Sequence, residues 1–199
     1  MGELPAGTQA LIFDCDGTLV DSLPLYLEAW LDALKTKGGI EVAPEWFFSR
    51  RGYSEEMVLA ALEKERGVAL DHAAIKAATR AGVLARLPQV KANVPVVEIV
   101  REWAGRLPMA VASSGSRAVV EASLVAVGIR DVFEAVVTID DVERPKPAPD
   151  LYLLAAQRLG VEPAHCVVFE DSAEGLDAAL AAGMNARDVR PWSMFRHLS

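Results

Sequence analysis

The stretch Leu11-Ile12-Phe13-Asp14-Cys15-Asp16-Gly17-Thr18 places two carboxylates one residue apart, directly after a short apolar run. Because side chains alternate in direction along a strand, Asp14 and Asp16 are expected to leave the strand end on one side. Such a pair can bind a divalent cation, or divide the work of nucleophile and proton carrier. The alternative is a simple turn with solvated acids, because Asp and Gly dominate turns for local reasons. Cys15 alternates with the acids and is predicted to be a small apolar filler.

The composition excludes several classes of protein. The chain has 199 residues, 52% of them hydrophobic, and a formal net charge of −8, which suits one core with a modest insertion. It has no stripe of Lys and Arg, so no nucleic-acid partner is expected. No apolar run approaches the roughly 20 residues of a membrane span. The two cysteines indicate no disulfide framework and the first ten residues no secretory signal, so we expect a cytoplasmic, soluble protein, by default a monomer.

Short apolar strands alternate with helical patterns in the second half of the chain. Strands are predicted at Met109–Ala112, Phe133–Val137 and Cys166–Phe169, with a weaker one at 185–189, and the intervening helices end at glycines. Continuous apolar strands indicate a sheet that is buried on both faces. The pattern predicts an α/β fold, a doubly wound, Rossmann-like parallel sheet.

A helical insertion follows the first strand. Apolar residues recur at helical spacing from Leu23 to Leu34, with Pro24 in the first turn, and Gly38-Gly39 ends that helix. The pattern stays helical to about Pro88. We therefore expect a core domain of residues 1–20 and 89–199, and a helical cap domain of residues 21–88.

Four polar clusters lie at, or soon after, predicted strand ends, where ligands collect in sheets of this kind. They are Asp14/Asp16, Ser113-Ser114-Gly115-Ser116-Arg117, Pro145-Lys146-Pro147 and Glu170-Asp171. Each also has a simpler explanation: a loop and helix cap for the serines, a solvated cation for Lys146, and a capping pair of Asp171 with Glu174. Hydroxyls and free amides at a helix start form anion sites, however, and the setting of Lys146 between two prolines indicates a fixed cation. Two acidic sites beside a phosphate oxygen suit Mg²⁺.

The order of these clusters resembles the haloacid dehalogenase-like hydrolase superfamily. Asp14-Cys15-Asp16-Gly17-Thr18 resembles its first motif, Ser113 its second, Lys146 its third and Glu170-Asp171 its fourth. Two longer segments, 146–150 and 169–172, resemble the branch that contains β-phosphoglucomutase and small sugar phosphatases. The resemblance implies a Mg²⁺-dependent phosphomonoester hydrolase that acts on a small phosphorylated metabolite, such as a sugar phosphate.

The resemblance also implies roles for individual residues. Asp14 would be the nucleophile that forms an aspartyl phosphate, and Asp16 would be the proton carrier. The implied metal ligands are Asp14, Asp16 through its backbone carbonyl, Glu170 as a ligand or just behind one, and Asp171. The implied phosphate-binding residues are Gly17, Thr18, Ser113, Ser114, Ser116, Arg117 and Lys146.

A sugar phosphomutase of similar architecture is the main alternative. Mutases of this branch resemble one another in a cap histidine and a cap arginine, at places where this chain has Tyr26 and Glu55. A mutase must rebind a bisphosphate, so missing cap cations favour hydrolysis, although Arg50 or Arg51 could substitute in part.

Other enzyme classes fit less well. A phosphonatase would need a cap lysine that forms a Schiff base. The candidates lie on predicted helix surfaces, where lysines are usually solvated: Lys35, Lys37, Lys64 and Lys76. A serine hydrolase acting through Ser113 would need a histidine base, but His72, His165 and His197 show no triad spacing. In a dehalogenase, Asp16 and the second acidic pair would have no role in the reaction. A phosphate-binding module would be expected to lack one of the motifs, and none is missing.

Overall fold

The computed structural model describes residues 3–48 and 55–192. A parallel sheet of five strands lies at its centre, in the order β5-β4-β1-β6-β7. Its strands run as follows: β1 Ala10–Phe13, β4 Met109–Ala112, β5 Ala135–Val137, β6 Cys166–Glu170 and β7 Asn185–Asp188. The order reverses direction beside β1, so the predicted doubly wound sheet is confirmed.

Helices cover both faces of this sheet. The α-helices in the described part of the core are α5 Val94–Trp103, α6 Arg117–Ala126, α7 Asp150–Leu159 and α8 Ala173–Ala181. Successive residues of β1 enter different cores: Leu11 and Phe13 pack with α5 and α6, whereas Ala10 and Ile12 pack with α7 and α8. Burial of both faces explains why the strands are continuous apolar runs.

The register brings the polar clusters to one edge. Phe13, the last residue of β1, pairs with Val111 of β4 on one side and with Phe169 of β6 on the other. Ala112 of β4 in turn pairs with Val137 of β5. The residues that follow β1, β4 and β6 therefore emerge side by side at the carboxyl edge of the sheet.

A two-stranded antiparallel ribbon lies where the chain leaves the core and returns to it. Its strands are β2, Val20–Asp21, and β3, Lys91–Ala92. The sequence did not predict this ribbon, because two residues are too few to show alternation.

Residues Ser22–Gln89 form a compact unit of their own. Its helices are α1 Leu23–Gly38, α2 Pro44–Phe48, α3 Glu55–Arg66 and α4 His72–Arg86. A small apolar core, which includes Trp30, Leu34, Leu59, Leu62 and Ile75, joins them. Arg86 on α4 pairs with Glu28 and Asp32 on α1. The assignment of this unit as a cap over the site stays a prediction. Arg50, Arg51 and His197, which the sequence analysis considers, lie outside the described residues.

Some element bounds differ from the expected ones. The strand predicted to begin at Phe133 begins at Ala135, since a short 3-10 helix at Arg130–Val132 precedes it.

Across the described ranges, no helix has the length and apolar character that a bilayer crossing requires.

Candidate active site

Lys146 lies at the centre of the polar edge. Its Nζ atom is 2.7 Å from Oδ1 of Asp14 and 2.8 Å from Oε1 of Glu170. The three side chains are nearly enclosed, with 6% of Lys146, 8% of Asp14 and 1% of Glu170 exposed. Lysine is almost never buried unless it is paired, and here it is paired twice. The lysine that the sequence identifies as a fixed cation is therefore fixed by carboxylates.

The charges of this group depend on one another. Burial disfavours the ammonium, but Asp14, Tyr152 and Glu170 outweigh it and raise the pKa of Lys146 above its ordinary value. Burial also raises the pKa of Asp14; Lys146 opposes this, while the nearby acids Glu170, Asp171 and Asp16 add to it. The site thus holds more negative charge than one ammonium can compensate.

Glu170 accepts hydrogen bonds at both carboxylate oxygens. Oε1 accepts from Lys146 and, at 3.3 Å, from the hydroxyl of Tyr152, whereas Oε2 accepts from the backbone N–H and the hydroxyl of Ser172 at 2.6 and 3.0 Å. Gly175 makes room for it, because a Cβ there would lie 1.7 Å from Oε1. A carboxylate has about four acceptor positions, so these four donors occupy Glu170 fully.

Asp171 is held by the loop that follows β1. The hydroxyl of Thr18 donates to its Oδ1 at 3.0 Å, and a Cβ on Gly17 would lie 2.3 Å from its Oδ2. Burial and the neighbouring Glu170 raise the pKa of Asp171 to about 7. The simpler explanation of Asp171 as a helix cap does not hold, because Ser172 caps α8 by accepting from the N–H of Gly175.

The carboxylates of Asp14, Glu170 and Asp171 could hold a metal ion. One oxygen of each lies within 4.8 Å of the others. Hard carboxylate oxygens are the ligands that Mg²⁺ prefers. A dication would stabilise the ionised form of these carboxyls, whose pKa values are raised first by burial and then by the neighbouring acids. The residues present therefore fit the ion. The carboxylate of Asp16 is not among these three, and its predicted contribution through the backbone carbonyl stays a prediction.

Ser113 and Asp16 meet across the neighbouring strand ends. Ser113 is 1% exposed, and its Oγ atom lies 3.4 Å from Oδ2 of Asp16. The same Oγ accepts the N–H of Gly115 at 3.0 Å. A Cβ on Gly115 would lie 3.1 Å from Oδ2 of Asp16, so the glycine permits this close approach. The serine loop therefore lies directly against the second aspartate.

The structure does not bring the Arg117 guanidinium to this cluster. Arg117 instead pairs with Asp141 and Glu121 and reaches the carbonyl of Val136. Asp141 also binds Arg158 of α7, 2.9 Å away. A phosphate contact by the Arg117 side chain, expected from the sequence, would require it to leave these partners.

The remaining predicted phosphate-binding residues lie in two loops. Ser114 and Ser116 belong to the loop after β4, with Ser116 at the N-terminal cap position of α6. The N–H of Gly17 donates to the carbonyl of Val20 at 2.8 Å, so Gly17 and Thr18 both have partners within the core. Direct contact of these four residues with a phosphate stays a prediction.

Sequence reasoning missed Tyr152 and Asn93. The ring of Tyr152 has its centroid 4.9 Å from the Nζ atom of Lys146. The side-chain amide of Asn93 donates to the carbonyl of Thr18 at 2.9 Å and so supports the first loop. Tyr152 has the helical spacing of a core residue, and Asn93 precedes α5 as an ordinary capping residue would. Neither carries a sequence signal that points to the site.

Cys15 and His72, for which the sequence predicts no chemistry, have surroundings that suggest a structural role. Cys15 is fully buried in the core with Leu11 and Phe13, which agrees with its prediction as a filler. His72 lies 3.3 Å from Glu63 on the helical unit. Neither arrangement resembles a nucleophile with its base.

Comparison with known proteins identifies the family. Fructose-1-phosphate phosphatase YqaB of Escherichia coli is 40% identical over 180 residues, which are 90% of this chain and 95% of that protein. Hexitol phosphatase A of Escherichia coli is 36% identical over 184 residues, 88% of this chain and 80% of that protein. The crystal structure of CbbY from Rhodobacter sphaeroides in complex with phosphate has the same fold. It matches with a TM-score of 0.81 and 24% identity, over 96% of this chain and 91% of that one. The model of haloacid dehalogenase-like hydrolases matches residues 8–183, and the chain belongs to that family.

Proposed function

We propose that this chain is a Mg²⁺-dependent phosphatase that hydrolyses phosphate monoesters of small sugars through an aspartyl phosphate on Asp14. The observation that carries the proposal is the buried contact of Asp14 with Lys146, beside the carboxylates of Glu170 and Asp171. A carboxylate nucleophile and a fixed cation on the same enclosed edge are what phosphoryl transfer requires. The named phosphatases among its relatives support the same class of enzyme.

Asp14 and Asp171 would hold Mg²⁺ directly. Glu170 would lie just behind them while its oxygens have four donors, and would become a ligand if one of those donors moved away. When bound, the ion supplies positive charge that screens a dianionic ester from the carboxylates. Glu170 also holds Lys146 in place, whichever of these positions it takes.

The first step is attack of an Asp14 carboxylate oxygen on phosphorus. The new bond joins that oxygen to phosphorus, while the bond from phosphorus to the sugar oxygen breaks. Asp16 gives its proton to the departing sugar oxygen. Lys146 and the amides of the Ser113 loop stabilise the charge on the equatorial phosphoryl oxygens, which is the larger part of catalysis in such reactions.

The second step returns the enzyme to its starting state. Asp16, now ionised, takes a proton from a water molecule as that water attacks phosphorus. The bond between phosphorus and Asp14 breaks, and inorganic phosphate leaves. Ser113 lies against Asp16 and would keep the carboxyl aimed at the reacting oxygen. The predicted roles of nucleophile and proton carrier thus suit the places of the two aspartates.

A sugar phosphate is the substrate class that we propose, with fructose 1-phosphate as the first compound to test. The support is the 40% identity to a fructose-1-phosphate phosphatase over nearly the whole chain. We further propose that residues 22–89 act as a cap that supplies sugar contacts and excludes water. The enzyme would act in the cytoplasm, by default as a monomer.

The observed contacts of two helical-unit lysines disfavour phosphonatase chemistry. Lys35 pairs with Glu41 at 2.6 Å and Lys76 pairs with Glu56. Lys35 is 65% exposed, whereas a lysine that forms a Schiff base needs a desolvated setting.

The product of a sugar 1-phosphate distinguishes phosphatase from mutase. Purified protein is incubated with Mg²⁺ and either fructose 1-phosphate or β-glucose 1-phosphate, and sugar and phosphate are quantified. We expect equal amounts of free sugar and inorganic phosphate. Conversion of the glucose ester to its 6-phosphate without phosphate release would overturn the proposal in favour of a mutase. Asp14→Asn should remove all turnover, while Asp177→Asn, an exposed change on α8, should keep it.

A further inference from the structure

The environment of Lys146 has an aromatic side that the motifs do not explain. Asp14 and Glu170 bind the ammonium through directed hydrogen bonds, 2.7 and 2.8 Å long. The ring of Tyr152 faces the same Nζ atom with its centroid 4.9 Å away. That distance is within the range of a cation–π contact, which is strongest when the cation is desolvated, as it is here.

The ring is itself firmly held. Tyr152 is the third residue of α7, counted from its start at Asp150, and is fully buried in the core between α7, α8 and the sheet. Its hydroxyl donates to Oε1 of Glu170, the oxygen that Lys146 also uses. Glu170 is in turn fixed by Ser172 through both its backbone N–H and its hydroxyl. Core packing fixes the orientation of the ring, the hydroxyl adds to it, and the ring presents its face to the ammonium.

A ring face and a carboxylate hold an ammonium in different ways. A hydrogen bond to a carboxylate requires an N–H aimed at one oxygen, whereas attraction to a ring face depends little on where each N–H points. The ammonium has three N–H donors, of which Asp14 and Glu170 accept two, so it must turn to aim the third at an arriving phosphoryl oxygen. A ring contact that tolerates this rotation keeps the ammonium in place while its hydrogen-bond partners change.

We propose that Tyr152 is a positioning residue whose ring holds the Lys146 ammonium beside Asp14 as the phosphoryl group binds and transfers. The inference rests on the proposed function. Both the ring and the hydroxyl of Tyr152 lie beside Lys146, and we assign the effect on the ammonium to the ring face. Glu170 keeps three donors without that hydroxyl, so phenylalanine should serve nearly as well as tyrosine.

The test compares Tyr152→Phe with two ringless variants, Tyr152→Leu and Tyr152→Met. Methionine is included because its flexible side chain fills a core gap and guards against loss of folding. Leu151→Ala is the matched control, since it removes packing from the adjacent, fully buried position of α7. Each protein is assayed with fructose 1-phosphate or an aryl phosphate in Mg²⁺, and its thermal unfolding midpoint is measured.

We expect Tyr152→Phe to keep kcat within about threefold, while both ringless variants lose roughly 10- to 30-fold in kcat, with a smaller rise in KM. Leu151→Ala should lower the unfolding midpoint but keep kcat. Ringless variants as active as Tyr152→Phe would overturn the inference, as would a Phe variant as impaired as the Leu variant.

A second readout does not require turnover. Calorimetric binding of inorganic phosphate, with Mg²⁺ present, should weaken in Tyr152→Leu and Tyr152→Met but not in Tyr152→Phe. Equal phosphate affinity in all three variants would contradict the inference. If the phosphate affinities of the wild type and the three variants follow the expected order but the wild type hydrolyses no phosphate ester, the proposed function fails and the role of the ring stands.

Discussion

The ammonium of Lys146 lies 2.7 Å from the Asp14 carboxylate, and both side chains are more than nine-tenths buried. Breaking a buried pair of this kind strongly destabilises the fold, because removing one partner leaves the other charge uncompensated. In the proposed reaction the pair is not static, since the carboxylate attacks phosphorus while the ammonium stabilises the transferred oxygens. The contact is thus both a feature of stability and the starting arrangement for catalysis.

Replacing Lys146 should therefore damage both properties. Lys146→Met should lower kcat by about 100- to 1,000-fold, the cost of losing one well-placed donor to a developing negative charge. It should also lower the unfolding midpoint at pH 7, since Asp14 and Glu170 lose their shared cation. Lys91→Met, an exposed change on β3, is the control and should alter neither. Unchanged turnover in Lys146→Met would contradict a role for Lys146 in the reaction.

Gly17 is predicted to tolerate no side chain. Its φ of 90° is unfavourable for other residues, and a Cβ would lie 2.3 Å from Oδ2 of Asp171. We expect Gly17→Ala to lower kcat by about 100-fold, because a displacement of Asp171 by roughly 1 Å is enough for such a loss. The assay is phosphate release at saturating substrate.

Gly105→Ala provides the matched control. Gly105 has a similar φ of 71°, but nothing lies within 4 Å of a Cβ placed there. Both variants should lose about 1 kcal/mol of unfolding free energy from backbone strain. If both kept full activity, or both lost it, the contact of Gly17 with Asp171 would not explain the result.

The stability of the metal-free protein should fall between pH 4 and pH 7. Asp171 titrates near 3.8 when unfolded and at about 7 in the fold, so the folded state retains its proton to higher pH. Its contribution to stability is therefore complete below pH 3.8 and is lost as the pH rises through 7. Mg²⁺ binds the ionised carboxylate, so it should raise the unfolding midpoint more at pH 8 than at pH 5.

Thermal melts with and without Mg²⁺ test this dependence. Asp171→Asn should reduce both the pH slope and the stabilisation by Mg²⁺, whereas Asp177→Asn should leave both unchanged. Equal stabilisation by Mg²⁺ at the two pH values in the wild type would count against a metal site at Asp171.

The hydroxyl of Ser113 is predicted to contribute to turnover. Ser113→Ala removes the group that lies 3.4 Å from Asp16 and accepts the N–H of Gly115. We expect kcat to fall by roughly 10- to 100-fold, as for loss of one polar group that orients an acid or binds a phosphoryl oxygen.

Ser123→Ala is a useful comparison for the serine. Ser123 is also buried, on α6, and its hydroxyl has no hydrogen-bond partner within the described part of the chain. Its removal should leave kcat unchanged and stability equal or slightly higher. Equal activity losses in the two serine variants would point to a general disturbance of α6.

Most of the polar residues at the sheet edge could be predicted, because the carboxyl ends of parallel strands lie at the same edge. Asp14 follows β1 and Glu170 ends β6, and these strands are neighbours in register. Lys146 follows no strand directly, yet its setting between two prolines indicated a fixed cation, and its 6% side-chain exposure agrees. Apolar continuity and glycine helix ends were sufficient to predict a doubly wound parallel sheet, whereas the order of its strands came only from the structure.

Side-chain partners that come from distant loops could not be predicted. Arg117 resembled part of an anion site, but Asp141, 24 residues later, binds its guanidinium. The partner of Asp171 is likewise distant, since Thr18, 153 residues earlier, donates to it. Tyr152 had only the helical periodicity of a core residue. In each case a tertiary contact outweighs the local preference on which a sequence prediction depends.

Trapping the phosphoenzyme tests the central claim most directly. Protein turning over fructose 1-phosphate, or an aryl phosphate, in Mg²⁺ is quenched in acid, and the acyl phosphate is reduced with tritiated borohydride before peptide mapping. The account predicts labelled homoserine at position 14 and no label at that position in Asp14→Asn. Steady phosphate release without any labelled peptide, or a label on a different residue, would contradict Asp14 as the nucleophile.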